Sequence, residues 1–286
     1  MIKFYSPLRY PGGKNKLAKF ISLLCNQNYI NGHYVEPYAG GASVALYLLI
    51  NGCVQEITIN DYDRGIYAFW YSILNNNEEF CKKIENTDIN IDNWNKFKKI
   101  HSNKKDANLF ELGFATFFLN RTNRSGIIDG GIIGGRKQEG KYKIDSRFNK
   151  SNLIERIRLI EKYKEKIHLY NLDALDLIDN IQKIENKNTI FYFDPPYYLK
   201  GPSLYMNHYK KIDHQKVSKK IKNIKNAKWI VSYDNVIEIK KLYKGYRKKE
   251  YTFSHVAYKS REGKEVLFFS DNVLVPRIKN PVKVII

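Results

Sequence analysis

The sequence predicts an α/β protein built on a parallel sheet, interrupted by a mostly helical insertion that carries a β-hairpin. Three observations carry that prediction. Short β-rich runs alternate with longer helical patterns, the arrangement of a parallel sheet with crossover helices. Four of the strand runs end in, or just before, an acid: Glu36, Asp61, Asp173 and Asp194. The alternation then breaks between about residues 65 and 165. A sheet domain of residues 1–64 and 165–286 is therefore expected around an insertion of residues 65–164.

The strand runs are "YVEP" (34–37), "EITIND" (56–61), "IHLYNLD" (167–173), "TIFYFD" (189–194) and "KWIVSYD" (228–234). Between them "GGASVALYLLING" (40–52), "ALDLIDNIQKI" (174–184) and "HQKVSKKIKNIK" (214–225) place apolar residues at helical spacing. Within the insertion, "LFELGFATFFLNR" (109–121) reads as a helix. The following "SGIIDGGIIGGRKQEGKYKIDSRFN" (125–149) holds six glycines and reads as a hairpin or loop assembly. Near the end, "YTFSHVAY" (251–258) and "KEVLFFSD" (264–271) predict antiparallel strands that close one edge of the sheet.

Composition narrows the partners. The net charge is +20, and residues 195–286 hold 21 Lys and Arg against 7 Asp and Glu. An excess of this size favours a polyanion such as nucleic acid, although a lysine-rich coding bias accounts for part of it. The three cysteines form no CxxC pair and no metal-ligand spacing, which points to reduced thiols. The opening "MIKFYSPLRYPGGK" lacks the apolar core of a signal peptide. The longest apolar run, "ASVALYLLI", is far below the roughly 20 residues that span a bilayer. A cytoplasmic protein with no membrane partner and no metal is expected.

Three stretches bear on chemistry. In "YVEPYAGGASVAL" a strand, a glycine turn at Gly40 and a helix can bring a ligand's polar groups to a helix N-terminus. A mere tight turn is the alternative. Asp61 lies 21 residues beyond Gly40 at the end of the next strand, where an acid would take ribose hydroxyls, so a nucleoside-containing cofactor is favoured. "RYPGGKNK" lacks the GxxxxGK[ST] pattern, which disfavours ATP hydrolysis. In "TIFYFDPPYYLKG" a buried strand runs into Asp194. Pro195 and Pro196 have fixed φ and no N–H, so they hold the chain stiffly as it leaves the strand. The Asp194 carboxylate and the Pro195 carbonyl can then act as two acceptors for one amino group, with Tyr197 offering a face to a flat ring. The ring is given this stacking role and its hydroxyl none. A plain strand followed by a Pro-Pro turn is the alternative.

In this combination the chain resembles the S-adenosylmethionine-dependent DNA adenine methyltransferases of the Dam-like class. "RYPGGK", "YVEPYAGGASVAL", "NDYD", "FFLNRTNRSG", "NLDAL", "DPPY" and "EVLFFSDN" appear in family order over nearly the whole length. The resemblance implies a Rossmann-like methyltransferase sheet of seven strands, with a target-recognition insertion between the second and third. It implies that Tyr10 and Lys14 contact the methionine end of S-adenosylmethionine, with Glu36 and the glycines from Gly40 near the same group. Asp61 would take the ribose hydroxyls and Asp173 the cofactor's adenine amino group. Asp194 and Tyr197 would hold the target base, with Asp194 facing the cofactor as well. The activity implied is transfer of a methyl group to the 6-amino group of adenine in double-stranded DNA after base flipping. The setting would be genome marking or restriction-modification, where a restriction endonuclease for the same site would be a partner. Cytosine amino groups, RNA adenine, or DNA binding without catalysis are the alternatives.

Two departures stand out. Tyr10 occupies a place where similar proteins often carry tryptophan, and "NRSGII" replaces their "FNG", so a GATC target does not carry over. For base reading, "LNRTNRSGIIDGG" offers Arg121, Asn123 and Arg124, whose side chains match guanine and adenine edges. Neutralisation of phosphates by the arginines is the competing role, and Arg124, nearer the glycine turn, is the first choice as base reader.

Overall fold

The computed structural model describes residues 4–10, 13–182, 188–199, 209–255 and 261–284. Pro11 and Gly12 of the "RYPGGK" turn, residues 183–184 of the expected helix, Lys200, Gly201 and residues 256–258 lie outside this set. The chain divides into two compact units. One comprises Met1–Phe4, Lys14–Asn60 and Lys166–Ile286, and the other Tyr5–Gly13 and Asp61–Glu165.

Among the described residues seven strands form one sheet: β1 (His33–Glu36), β2 (Glu56–Asn60), β3 (Ile167–Tyr170), β4 (Thr189–Phe193), β5 (Lys228–Asp234), β6 (Arg247–His255) and β7 (Arg261–Phe269). The helices among the described residues are α1 (Ala18–Gln27), α2 (Ser43–Ile50), α3 (Arg64–Asn75), α4 (Asn77–Asn86), α5 (Ile91–Ser102), α6 (Leu109–Thr122), α7 (Lys150–Glu161), α8 (Ala174–Gln182), α9 (Lys211–Lys222) and α10 (Ile237–Leu242).

In the sheet unit the strand order is β3-β2-β1-β4-β5-β7-β6. The first five are parallel, and β7 runs antiparallel between β5 and β6. All five strand runs read from the sequence form strands, and the C-terminal pair closes the edge antiparallel as expected. β1 and β4 are fully buried along their length, as strands covered on both faces must be. Phe191, Phe193, Trp229, Val231 and Phe268 share one core cluster with Leu177 and Ile178 of α8 and Val217 and Ile221 of α9.

The third run stops at Tyr170, short of the expected Asp173, because local hydrogen bonds compete with the ladder. The Asp173 carboxylate accepts from Leu175 N–H at 2.8 Å and so turns the chain into α8. Asn60 fixes the same turn: its amide donates to the Pro37 and Leu172 carbonyls at 2.9 and 3.0 Å, and its oxygen accepts from Leu172 N–H at 2.9 Å. One buried side chain thus ties together the ends of β1, β2 and β3.

The helical unit contains α3 to α7. Its core is aromatic: Phe69 stacks on Phe117, Phe80 packs against Phe114 and Phe117, and Phe97 against Phe114 and Phe118. Burying each such ring contributes roughly 1.5–3 kcal/mol relative to exposure. α3 begins at the Asp63 carboxylate, which accepts from Gly65 and Ile66 N–H groups at 2.8 and 3.2 Å. Asn108 starts α6 in the same way.

The expected hairpin of 125–149 is reduced among the described residues to a single antiparallel bridge, Asn123 to Ile132. Ser125, Gly126, Gly134, Gly135 and Gln138 all have positive φ, which interrupts a strand ladder. Gln138 replaces the ladder with side-chain bonds, donating to the Ile133 and Gly135 carbonyls and accepting from Ile144 N–H. At Gly126 (φ +76°) a Cβ would run into the Arg9 carbonyl, so only glycine fits that turn. Among the described residues no helix is long and apolar enough to cross a membrane.

Candidate active site

The sheet sets the position of the site. From β1 the order proceeds to β2 and β3 in one direction and to β4 and β5 in the other. β1 and β4 therefore flank a topological switch point, and ligands of open α/β sheets bind beyond the carboxyl ends of such strands. Glu36 ends β1, and Asp194 follows the last residue of β4.

Asp194 Oδ1 accepts from Ser232 Oγ at 2.6 Å and lies 3.1 Å from Lys14 Nζ. Ser232 sits on neighbouring β5, is wholly buried, and itself accepts from the Tyr192 hydroxyl at 3.0 Å. Lys14 Nζ lies equally 3.1 Å from Glu265 Oε1 and 2.9 Å from the Tyr197 hydroxyl. The Tyr197 hydroxyl also donates to Glu265 Oε1, and the Tyr251 hydroxyl donates to Oε2 of the same carboxylate. Lys14, Glu265, Tyr197 and Tyr251 are all buried, so this is a charged network in low dielectric, satisfied member by member.

Burial pulls the Lys14 ammonium down, yet Asp194 and Glu265 beside it hold its pKa well above the usual lysine value. Burial pushes Asp194 up, against the pull of Lys14. Glu36 is 5% exposed and accepts from the Tyr34 hydroxyl at 2.8 Å. Burial raises its carboxyl to about 8, with the nearby charge of Asp194 adding to the rise against the Tyr34 bond.

Sequence reasoning missed Ser232, Glu265 and Asp234. The carboxylate of Asp234, the last residue of β5, accepts from Tyr198 and Leu199 N–H groups at 2.9 and 3.0 Å and anchors the chain leaving the Pro-Pro turn. A strand run ending in an acid was the available signal for Asp234, and "EVLFFSDN" contained Glu265.

Tyr197 corrects an expectation. Its residue is 3% exposed, and its hydroxyl joins Lys14 and Glu265, so the hydroxyl has a role that a purely stacking assignment left out. Tyr197→Phe is expected to destabilise the protein by about 1–3 kcal/mol, the cost of leaving buried polar partners short of a bond. Chemical denaturation checks this, and an unchanged midpoint would return the hydroxyl to having no role.

The remaining cofactor candidates divide between the two units. Gly40 has φ +47°, a conformation glycine adopts without penalty, in the turn that leads to α2, and Asp173 caps the chain entering α8. Tyr10 and Asp61 belong to the helical unit. The Tyr10 carbonyl accepts from Gly13 N–H at 3.0 Å, and Asp61 Oδ1 accepts from Asp63 N–H at 2.9 Å.

The three base-reading candidates fare differently. Asn123 is wholly buried. Its oxygen accepts from Trp94 Nε1 at 2.7 Å, and its amide donates to the Ile127 and Ile128 carbonyls at 3.1 and 2.7 Å. With those bonds made, Asn123 shapes the loop and reads no base. Arg121 lies largely below the surface, with Nη1 3.4 Å from the Pro7 carbonyl and Nε buried without a partner, a poor placement for reaching a base edge. Arg124 is exposed.

The Rossmann-like sheet carries an acid, a Pro-Pro turn and an aromatic ring at its switch point, the arrangement that the resemblance to S-adenosylmethionine-dependent methyltransferases implied. The sequence pattern of the D12 class N6 adenine-specific DNA methyltransferases matches residues 10–259, and the chain belongs to that family. Membership makes it by class an adenine-specific DNA methyltransferase with S-adenosylmethionine as cofactor, as the resemblance implied.

The chain is similar to the Type II methyltransferase M.MjaIII of Methanocaldococcus jannaschii, 22% identical over 204 residues that make up 66% of this chain and 68% of that one. Among solved structures it is similar to a SAM-dependent methyltransferase from Agrobacterium tumefaciens, at 8% identity and a TM-score of 0.42. That match covers 90% of this chain and 62% of the other, so the chain spans less than two thirds of that protein. The rRNA methyltransferase aviRa from Streptomyces viridochromogenes matches at 10% identity and a TM-score of 0.37, over 89% of this chain and 85% of that one.

Proposed function

We propose that the chain methylates the 6-amino group of adenine at a specific site in double-stranded DNA, with Asp194 as the residue that holds the reacting amino group. The observation that carries this reading is the placement of Asp194 at the switch point. Its Oδ1 is fixed by Ser232 and Lys14, and its side chain keeps 20% of its exposure. Oδ2 then serves as the acceptor for an adenine N–H, with the Pro195 carbonyl as the second acceptor and Pro196 keeping the turn stiff. Two acceptors on one amino group pull density onto its nitrogen and favour attack on an electrophile. The target base reaches them by flipping out of the duplex, and the ring of Tyr197 forms part of the wall that receives it.

The donor set suits S-adenosylmethionine. Its sulfonium supplies an electrophilic methyl group, and its methionine end carries an ammonium. A carboxyl pushed up to about 8 by burial, as Glu36 is, ionises readily opposite a cation. Glu36 and the turn from Gly40 would hold the methionine end with Tyr10 and Lys14, Asp61 the ribose and Asp173 the adenine. Cofactor affinity is accordingly expected to rise with pH as Glu36 ionises and to level off above about 8. In Glu36→Gln the affinity should be weaker and flat across that window. Titration calorimetry at several pH values checks the pair, and identical profiles would remove Glu36 from the cofactor site.

Arg124 is the base reader in this proposal, the setting is cytoplasmic genome marking or restriction-modification, and in the latter case a restriction endonuclease for the same site is the partner. Methylation-sensitive sequencing of DNA from cells expressing the protein tests the function. One short motif carrying N6-methyladenine is expected, and DNA without added methyladenine would oppose the reading.

A further inference from the structure

The helical unit gathers guanidinium groups that the methyl-transfer chemistry does not use. Three of them converge on the stretch from Ser6 to Arg9. Arg156 of α7 donates to the Ser6 carbonyl at 3.0 Å, and Arg121 at the end of α6 approaches the Pro7 carbonyl at 3.4 Å. Arg9 is held by its own backbone, donating its N–H to Asn120 Oδ1 at 2.7 Å while its carbonyl accepts from the Asn120 amide at 2.8 Å. Its Nη1 lies 3.4 Å from the Asn123 carbonyl. The segment is thus stapled in place, and the guanidinium groups are brought together by design of the backbone around them.

The charges of this cluster are not balanced from within. Burial, and then the positive charges of Arg9, Arg156 and Arg147, lower Arg121 to about 9. Arg9 is lowered by burial and by Arg147. Glu155, next to Arg156 in sequence, partly offsets the effect of burial on that arginine. Among the described residues no carboxylate forms an ion pair with Arg9, Arg121, Arg147 or Arg156. Arg121 Nε, moreover, is buried with no hydrogen-bond partner. The contrast with Lys14 is direct: that buried cation has a carboxylate on each of two sides. Buried charges are ordinarily paired, so the unpartnered Arg121 Nε, with three further guanidinium groups near it and no ion-paired carboxylate among them, calls for an anion from outside.

We propose that Arg9, Arg147 and Arg156, with Arg121 behind them, form an anion site that takes a backbone phosphate of the DNA substrate. Arg147 is exposed and Arg9 and Arg156 are half-buried, so these three can meet a phosphodiester while Arg121 contributes its field from below. Guanidinium groups fit phosphate oxygens in pairs of parallel N–H bonds, and such contacts set the register of a protein on DNA without reading its sequence. The proposal rests on the reading of the chain as a DNA methyltransferase, and it moves Arg121 from base reading to phosphate binding.

The test is the salt dependence of binding to a duplex oligonucleotide carrying the methylated site, for the wild-type protein, Arg147→Ala, Arg156→Ala and the double variant. Each lost phosphate contact lowers the slope of log K against log salt by about 0.9, so the double variant should lose about 1.8. The site profile on a randomised library should stay the same. Arg147 is exposed and its replacement leaves the fold intact, and Arg156→Lys, which keeps the charge, should recover most of the slope lost by Arg156→Ala. Unchanged slopes in all variants, or relaxed choice at one base position, would overturn the phosphate site. So would a wild-type protein stabilised by inorganic phosphate whose DNA slope does not depend on these arginines, because the site would then serve a free anion. A wild-type protein that methylates no duplex DNA overturns the functional reading itself, an outcome separate from these.

Discussion

Asp194→Ala is expected to cut turnover by at least about a hundredfold at saturating cofactor and DNA, the scale of losing one preorganised hydrogen-bond group at a reacting centre. The carboxylate is preorganised in a specific sense. Ser232 on β5 and Lys14 fix Oδ1, and Pro195 and Pro196 stiffen the chain beyond it. An acceptor held this way need not reorganise as the amino group turns nucleophilic. DNA affinity should fall far less, because a single flipped base contributes little beside the phosphate contacts of the duplex. Single-turnover kinetics beside equilibrium DNA binding separates the two effects. A variant with near-normal turnover would remove Asp194 from the chemistry.

Lys14→Ala is expected to lower folding stability by about 3–5 kcal/mol, the cost of breaking a buried ion pair by deleting one partner. Without the ammonium, Asp194 and Glu265 are left as two carboxylates in a buried place, with Tyr197 and Tyr251 still donating to Glu265. The sign of the pH dependence follows. Burial already raises Asp194 in the intact protein, and loss of the cation that lowers it raises the group further. A carboxyl with a raised folded-state pKa contributes its full stability when protonated and loses it as pH rises through that pKa. The deficit should therefore be larger at pH 8 than at pH 5. Denaturant unfolding at both values is the measurement, and a deficit below about 1 kcal/mol at pH 8 would mean the network does not hold the fold.

The parts of the molecule that were legible in its sequence are those that local pattern controls. β4 and β5 announce themselves by runs of β-branched and aromatic residues, and Asp194 by its place between a buried strand and two prolines. α6 shows in "LFELGFATFFLNR". What could not be read depends on distant chain meeting distant chain. Glu265 lies 68 residues from Tyr197 and 251 from Lys14, so no spacing rule brings the three together. Asn123 carries a side chain suited to adenine, but Trp94, 29 residues away, claims its oxygen. The hairpin expected in 125–149 was lost for a local reason, since five residues of positive φ allow turns where a ladder was anticipated. Arg121 illustrates the same limit from the side of charge. Its neighbours in sequence suggested a reader of bases, and only the fold sets it against Pro7, beside the Ser6 carbonyl that Arg156 reaches.

Adenine methylation is tested by incubating the purified chain with methyl-labelled S-adenosylmethionine and duplex DNA, digesting the DNA to nucleosides and separating them. The label is expected in N6-methyldeoxyadenosine, and Asp194→Ala should abolish nearly all of it. Label in a methylated cytosine, or transfer to RNA with none to DNA, would contradict this reading.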